Sequence, residues 1–355
     1  AQSVEDGKTA FAPVAPKRAG HQFAGWYLNN AVFSFDTPVT KNITLVAKWE
    51  KLDAKIKDYG GYDESLYIEW SDGDPSQSQV QYKPHGASAW TSADAELIRP
   101  KSGESNVARA DVLGLTQGNY DIKVTASDKS ELSIENIAVT AYDRSGYAHF
   151  NHTEGVGAYY DDGTVKDNTL VIYVTDENKN TVDYGYVNGQ RVDLTPYLYQ
   201  GNTGIGWILN NRAYSAQINN FGITKLCNTY GAVAVRFIGT VNAEKGASKE
   251  DAKYSLIDGL TAHNSTENGG TVGDNGRMAR IISAKNLTLE GVGEDATVYG
   301  WGFHLVNNDI NYKTTGAGSN FEVRNLTFEH YPEDAIGMEG NVQEPLSQYT
   351  KAPVQ

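Results

Sequence analysis

Close to its end the sequence gathers carboxylates. Glu333 and Asp334 sit side by side in Pro332-Glu-Asp-Ala-Ile-Gly-Met-Glu-Gly340, with Glu339 just behind them. Carboxylate oxygens at the end of a strand are hard ligands suited to a divalent cation such as Ca²⁺. Strand alternation sends neighbouring side chains to opposite faces, so Glu333 points away from Asp334 unless the chain turns there. Glu339 shares the parity of Glu333 and lies further along.

The remaining groups that could do chemistry are sparse. His149 and His152 are spaced to chelate, but they fall in a stretch that reads as linker, whereas His263, His304 and His330 stand singly. No Ser/His/Asp arrangement can be argued from them. Gly204-Ile-Gly206 lacks the full glycine fingerprint of a nucleotide loop and has no βαβ context. The single cysteine, Cys227, precludes an intrachain disulfide and reads as a small buried hydrophobe. Tyr299 and Trp301 could stack on sugars, but a core position or surface ladder accounts for them better.

The elements that must position these residues are mostly strands. Gly (36 residues) and Tyr (22) are abundant, and short alternating runs end in Gly, Asn or Asp. The best helical candidate lies around Ala213–Leu226. Asn286-Leu-Thr-Leu returns as Asn325-Leu-Thr-Phe, 39 residues on, which suggests two turns of a solenoid with coils of roughly 20 residues. Fully apolar runs such as Leu170-Val-Ile-Tyr-Val174 and Ala232-Val-Ala-Val-Arg-Phe-Ile238 suit strands buried in a stacked interior. The expected class is all-β: a right-handed parallel β-helix, incomplete at its C-terminus, behind a small β-grasp-like repeat and a β-sandwich.

With 355 residues the chain has room for two or three domains, and its net charge of −14 argues against nucleic acid as a partner. The same charge would repel an anionic polymer unless a cation or a local basic groove intervened. No apolar run is long enough for a membrane span. A monomer is expected.

Three segments follow. Residues 1–51 carry Phe23-Ala-Gly-Trp-Tyr27, Phe35-Asp-Thr-Pro-Val-Thr40 and Ile43-Thr-Leu-Val-Ala-Lys-Trp49. This segment resembles the Listeria–Bacteroides repeat, the B-type repeat of internalin-like surface proteins. The resemblance implies a non-catalytic bacterial surface or secreted module whose first strand would precede Val4. Residues 52–146 alternate as short strands: Leu66-Tyr-Ile-Glu-Trp70, Gln79-Val-Gln-Tyr-Lys83 with Trp90, and Tyr120-Asp-Ile-Lys-Val-Thr-Ala126. They resemble a fibronectin type III-like sandwich, with Trp70, Tyr82 and Tyr120 in the core.

Residues 147–355 hold Gly155–Val182, Val235-Arg-Phe-Ile-Gly-Thr240, Val272-Gly-Asp-Asn-Gly-Arg-Met-Ala-Arg280, Leu289-Glu-Gly-Val-Gly-Glu-Asp-Ala-Thr297 and Phe321–Gly340. This segment resembles the N-terminal part of a pectate lyase of polysaccharide lyase family 1. The resemblance implies Ca²⁺-assisted β-elimination on polygalacturonate, the polymer of pectin. In that reaction a base takes the weakly acidic C5 proton beside the sugar carboxylate and O4 leaves. It implies Asp334 as a calcium ligand, with Glu333 as a second metal candidate. The catalytic arginine and the later calcium strand are expected beyond Gln355, so this stretch alone is expected to be inactive. Arg277, Arg280 and Arg324 match framework positions. An extracellular, secreted or cell-surface location follows, with the N-terminal modules available to a cell-wall polymer. The alternative is a non-catalytic adhesin or carbohydrate-binding protein built on the same solenoid.

Overall fold

The computed structural model describes residues 1–144, 155–211, 217, 219–244, 256–260, 278–306, 319–331 and 334–339. Strands dominate, as expected from the short alternating runs, and the all-β class holds. The chain forms two compact units, one of residues 1–113 with 117–140 and the other of residues 114–116 with 141–355.

In the first unit, strands β1 (Lys8–Thr9), β2 (His21–Leu28), β3 (Ala31–Val32), β4 (Pro38–Val39) and β5 (Val46–Lys51) build the N-terminal repeat. β3, β2 and β5 form one antiparallel sheet, and β1 pairs with β4. So short a segment fills its interior with rings. Phe23 meets Trp26 and Trp49 edge-on, with centroids 5.4 and 5.7 Å away. The next eight strands are β6 (Ile56–Tyr62), β7 (Ser65–Ser71), β8 (Gln79–Pro84), β9 (Thr91–Ser92), β10 (Ile98–Pro100), β11 (Val107–Leu113), β12 (Gly118–Thr125) and β13 (Glu131–Val139). They form two antiparallel sheets, ordered β10-β11-β7-β6 and β13-β12-β8-β9. Leu66, Ile68 and Trp70 from one sheet and Val80, Tyr120, Ile122 and Val124 from the other are buried, whereas Tyr82 is half-buried. The Trp70 indole donates to buried Asp72, which also accepts from Ser78 and from the backbone and hydroxyl of Ser127.

The second unit is built on parallel pairing. Its elements are β14 (Leu170–Val174), β15 (Tyr184–Val187), β16 (Gln190–Asp193), α1 (Ile205–Leu209), α2 (Gly222–Tyr230), β17 (Val233–Asn242), β18 (Met278–Ile282), β19 (Lys285–Tyr299), β20 (Gly302–Val306), β21 (Ser319–Arg324), β22 (Thr327–Glu329) and β23 (Ile336–Glu339). β14, β17, β19 and β21 run parallel in one sheet, which antiparallel β15 and β16 extend. β18, β20 and β23 run parallel in another. Between them Leu170, Ile172, Val233, Val235, Phe237, Leu287, Leu289, Ile281, Phe303 and Leu305 share one buried core with residues of α1 and α2. Of the helix expected around Ala213–Leu226, residues 213–216 and 218 lie outside the described residues; its end falls in α2, which starts after Phe221 and is ended by Gly231 at positive φ.

The repeat behaves differently from its reading in the sequence. Leu287 pairs with Phe321, and the paired positions Thr288 and Glu322 are 34 residues apart. The look-alike strings therefore lie on or beside neighbouring strands of one sheet, and the 34-residue register between those strands is longer than the roughly 20 residues expected. β19 bends at its middle: its first half pairs with β21 and its second half with β22. Asn286 is the second residue of β19, whereas Asn325 sits at the corner between β21 and β22. There its amide donates to the carbonyls of Gly291 and Gly293, each at 2.8 Å. Both asparagines have positive φ, which Asn tolerates better than most residues. The shared string marks a corner, not a coil. The residue stacked on Asn286 is Asn320, amide to amide at 2.8 Å.

Candidate functional site

Asp334 lies two residues before β23 and is exposed. Pairing of Phe303 with Ile336 and of His304 with Gly337 sets its place. A hydrogen bond of 3.0 Å from Phe303 N to Ala335 O fixes the chain just after it. The approach depends on Gly302, where a Cβ would lie 2.4 Å from the Asp334 carbonyl and 2.7 Å from that of Ala335. Beside Gly337 lie both the His304 ring and the Asp334 carboxylate, 2.9 and 3.7 Å from where a Cβ on that glycine would be. The sheet therefore brings Asp334 and His304 to one corner, a pairing absent from the linear pattern.

Glu333, the second expected metal ligand, lies outside the described residues. Glu339 ends β23. Calcium takes six to eight oxygens. Among the described residues no group of three or more His, Cys, Asp or Glu side chains is placed to hold a metal. Asp334 is one carboxylate, and the described residues do not complete a calcium shell around it.

A larger constellation, unforeseen in the sequence, lies on the outer side of the parallel sheet. Tyr173, Arg236, Glu290 and Arg324 occupy successive in-register positions on β14, β17, β19 and β21. The Arg236 Nε donates to Glu290 at 2.8 Å, and its two terminal nitrogens donate to Tyr173 and Tyr159 at 2.9 and 3.0 Å. Arg324 Nε reaches the other oxygen of Glu290 at 2.9 Å, and Tyr159 donates to Glu290 as well. Glu322 accepts from Thr288 at 3.0 Å and faces Arg324 at 3.5 Å.

The segment after Gly155 lies over this row. Ala158 N donates to Thr288 Oγ1 at 2.9 Å, Gly157 N donates to Asn320 Oδ1 at 2.9 Å, and the Arg324 guanidinium lies 3.9 Å from the Tyr159 ring centre. A Cβ on Gly157 would come within 2.1 Å of Thr288 Oγ1, so that close approach requires glycine.

The electrostatics are those of a closed structural network. Burial alone would raise the Glu290 carboxyl, but Arg324, Arg236 and the Tyr159 hydroxyl outweigh it and hold the carboxyl below its ordinary range. Burial pushes the Tyr159 phenol up to about 12. Glu322 moves the other way: burial raises it, Arg324 opposes, and neighbouring Glu290 adds to the rise. Arg324 is held further above its ordinary range by Glu290, Tyr159 and Glu322, against burial. It makes ion pairs with Glu290 and Glu322. Arg280 lies in β18, and Arg277 falls outside the described residues. A charged residue at matching positions of two apolar runs, Val235-Arg-Phe237 and Leu289-Glu-Gly291, was the signal in the sequence for this row.

The other candidates resolve simply. Trp301 is fully buried, with its indole donating to Val241 O at 3.0 Å, so it is core and not a sugar platform. Tyr299 stacks on His330 at 4.7 Å, and His330 Nδ1 lies 3.3 Å from Glu244. Cys227 is buried, which pushes its thiol up to about 12. His149, His152 and His263 lie outside the described residues.

Residues 1–48 match the family profile of the Listeria–Bacteroides repeat domain. No curated protein matches the chain by sequence. Among solved structures, a chitinase, ChiW from Paenibacillus sp. str. FPU-7, is described as a cell-surface-expressed multi-modular enzyme. It aligns at 10% identity and a TM-score of 0.20, over 57% of this chain and 18% of its own, a likeness too slight to carry a fold or an activity. The repeat is compatible with a surface or extracellular protein. No helix of the described residues is long and apolar enough to cross a membrane.

Proposed function

We propose that the chain is part of a modular bacterial surface or secreted polysaccharide lyase of the pectate lyase type, in which the second unit is a right-handed parallel β-helix. One observation carries the reading. Strands of the second unit pair in parallel, β19 with β21 and β20 with β23, and the last described strand, β23, starts just after an exposed Asp334 beside His304. A carboxylate at that place suits a cation that neutralises an acidic sugar. The repeat and the fibronectin-like sandwich would then hold the catalytic unit against a cell-wall polymer.

A specific observation favours the rival. Among the described residues Asp334 is not joined into a group able to bind a metal. A non-catalytic carbohydrate-binding or adhesive solenoid needs no such group. Two measurements on the intact protein separate the readings: appearance of unsaturated uronate from polygalacturonate, and calorimetric titration with Ca²⁺. The lyase reading expects calcium-dependent product and a calcium affinity lowered about tenfold or more by Asp334→Asn. Polymer binding without product, and with no calcium uptake, would leave the adhesive reading standing.

A further inference from the structure

The outer face of the β13-β12-β8-β9 sheet carries an arrangement that neither reading above uses. Ile122 and Val124 of β12 point into the core, so Asp121, Lys123 and Thr125 face outward. Lys83 is paired with Asp121, and Gln81 with Lys123. Ser92 lies opposite Gln81 and Ser133 opposite Lys123, which completes a polar row of Ser133, Lys123, Gln81 and Ser92 across four strands. Trp90 precedes β9 on the same side as Ser92, and it is only half-buried. Over its ring stand two ammonium groups, Lys123 at 4.6 Å and Lys83 at 5.0 Å from the centroid.

The charges of this face divide in an informative way. Asp121 is paired with Lys83 at 3.2 Å, is hydrogen-bonded to the His85 ring at 2.7 Å and accepts from Asn136 N at 3.0 Å. Lys83 is further held by the Ala87 carbonyl at 2.6 Å. Among the described residues Lys123 has an aromatic neighbour and no carboxylate within ion-pair reach. Of the other carboxylates, Glu131 and Glu135 lie on β13, two strands from Trp90, and Asp94 follows β9 two residues after Ser92, on the far side of Ser92 from Trp90. A half-exposed indole with lysines over it, beside a row of hydroxyl and amide groups, matches an acidic sugar. The ring takes the C–H face of the pyranose, the lysine takes its carboxylate, and the row takes its hydroxyls. In a chain of net charge −14, a basic and aromatic face is where an anionic polymer can approach.

We propose that Trp90 and Lys123, supported by Lys83, form a binding platform for an acidic, uronate-containing polysaccharide. The platform deepens the proposed function by naming the polymer's docking place, and it requires the acidic polymer but neither calcium nor cleavage.

The test is binding of the full chain to polygalacturonate in the presence of EDTA, by affinity electrophoresis and calorimetry, with neutral galactan as the comparison polymer. Wild type is expected to be retarded by the acidic polymer and not by galactan. Trp90→Ala should weaken binding about tenfold. Lys123→Gln, which keeps the shape of the chain, should weaken it about threefold and flatten its dependence on salt. Unchanged binding in the Lys123→Gln protein, equal retention by galactan, or no binding by wild type would overturn the platform. Loss of lyase activity with this binding intact would instead remove only the catalytic reading.

Discussion

Two carboxylates of the second unit face opposite circumstances. Glu290 lies in the middle of the parallel sheet, where Arg236, Arg324 and Tyr159 use its oxygens. Asp334 stands exposed at the approach to β23, beside a glycine and a histidine. The difference shows what a buried charge can still do. A carboxylate with its lone pairs committed holds strands in register, and removing it would take the carboxylate partner from the buried Arg236 guanidinium. One facing solvent contributes little to the fold and stays available to a cation or a ligand.

The most direct way to break the comparison is to neutralise Glu290. Glu290→Gln keeps the shape but removes the carboxylate that pairs with Arg236 and the closer of the two that face Arg324, the other being Glu322 at 3.5 Å. It should cost about 3–5 kcal/mol, read from the denaturant midpoint of unfolding. A loss below about 1 kcal/mol would mean that the row does not hold the sheet.

The next effect is in pH. Because the folded-state pKa of Glu290 is depressed, its stabilisation is complete above the unfolded carboxyl range, near about 4.3, and is lost as pH falls through the folded value. Glu322, raised by burial, has the opposite sign: protonation favours the folded state, so its contribution improves as pH falls. Acid unfolding curves should therefore be shallower for Glu290→Gln than for wild type and steeper for Glu322→Gln. Identical acid limbs in all three proteins would show that these carboxyls do not set the acid stability.

The smallest effect belongs to the exposed partner. Asp334→Asn should change stability by no more than about 0.5 kcal/mol, as surface substitutions usually do. A drop in the melting temperature comparable to that of Glu290→Gln would place Asp334 among the structural carboxylates and erase the contrast.

Much of this molecule is legible before it folds. The aromatic density of residues 1–51, the alternation around Trp70 and Tyr120 and the apolar runs of the second unit each specify strands. These patterns are local, and side-chain parity alone determines which residues turn inward. The string around Asp334 is local too, and it places the residue just ahead of a strand, β23.

What the chain alone left undecided is register between distant strands. Asn286 and Asn325 look like equivalent positions because each sits at a left-handed corner, yet the strand pairing places Asn320 upon Asn286. Likewise Arg236, Glu290 and Arg324 are unremarkable singly, and only parallel pairing sets them in one row beneath Tyr159. Local propensity acts over a few residues, whereas these contacts join positions 34 to 77 residues apart. The sequence determined which segments are strands and which side chains they bury. The tertiary structure decided which charges meet, because opposite charges bind strongly only where the sheet holds them together and excludes water.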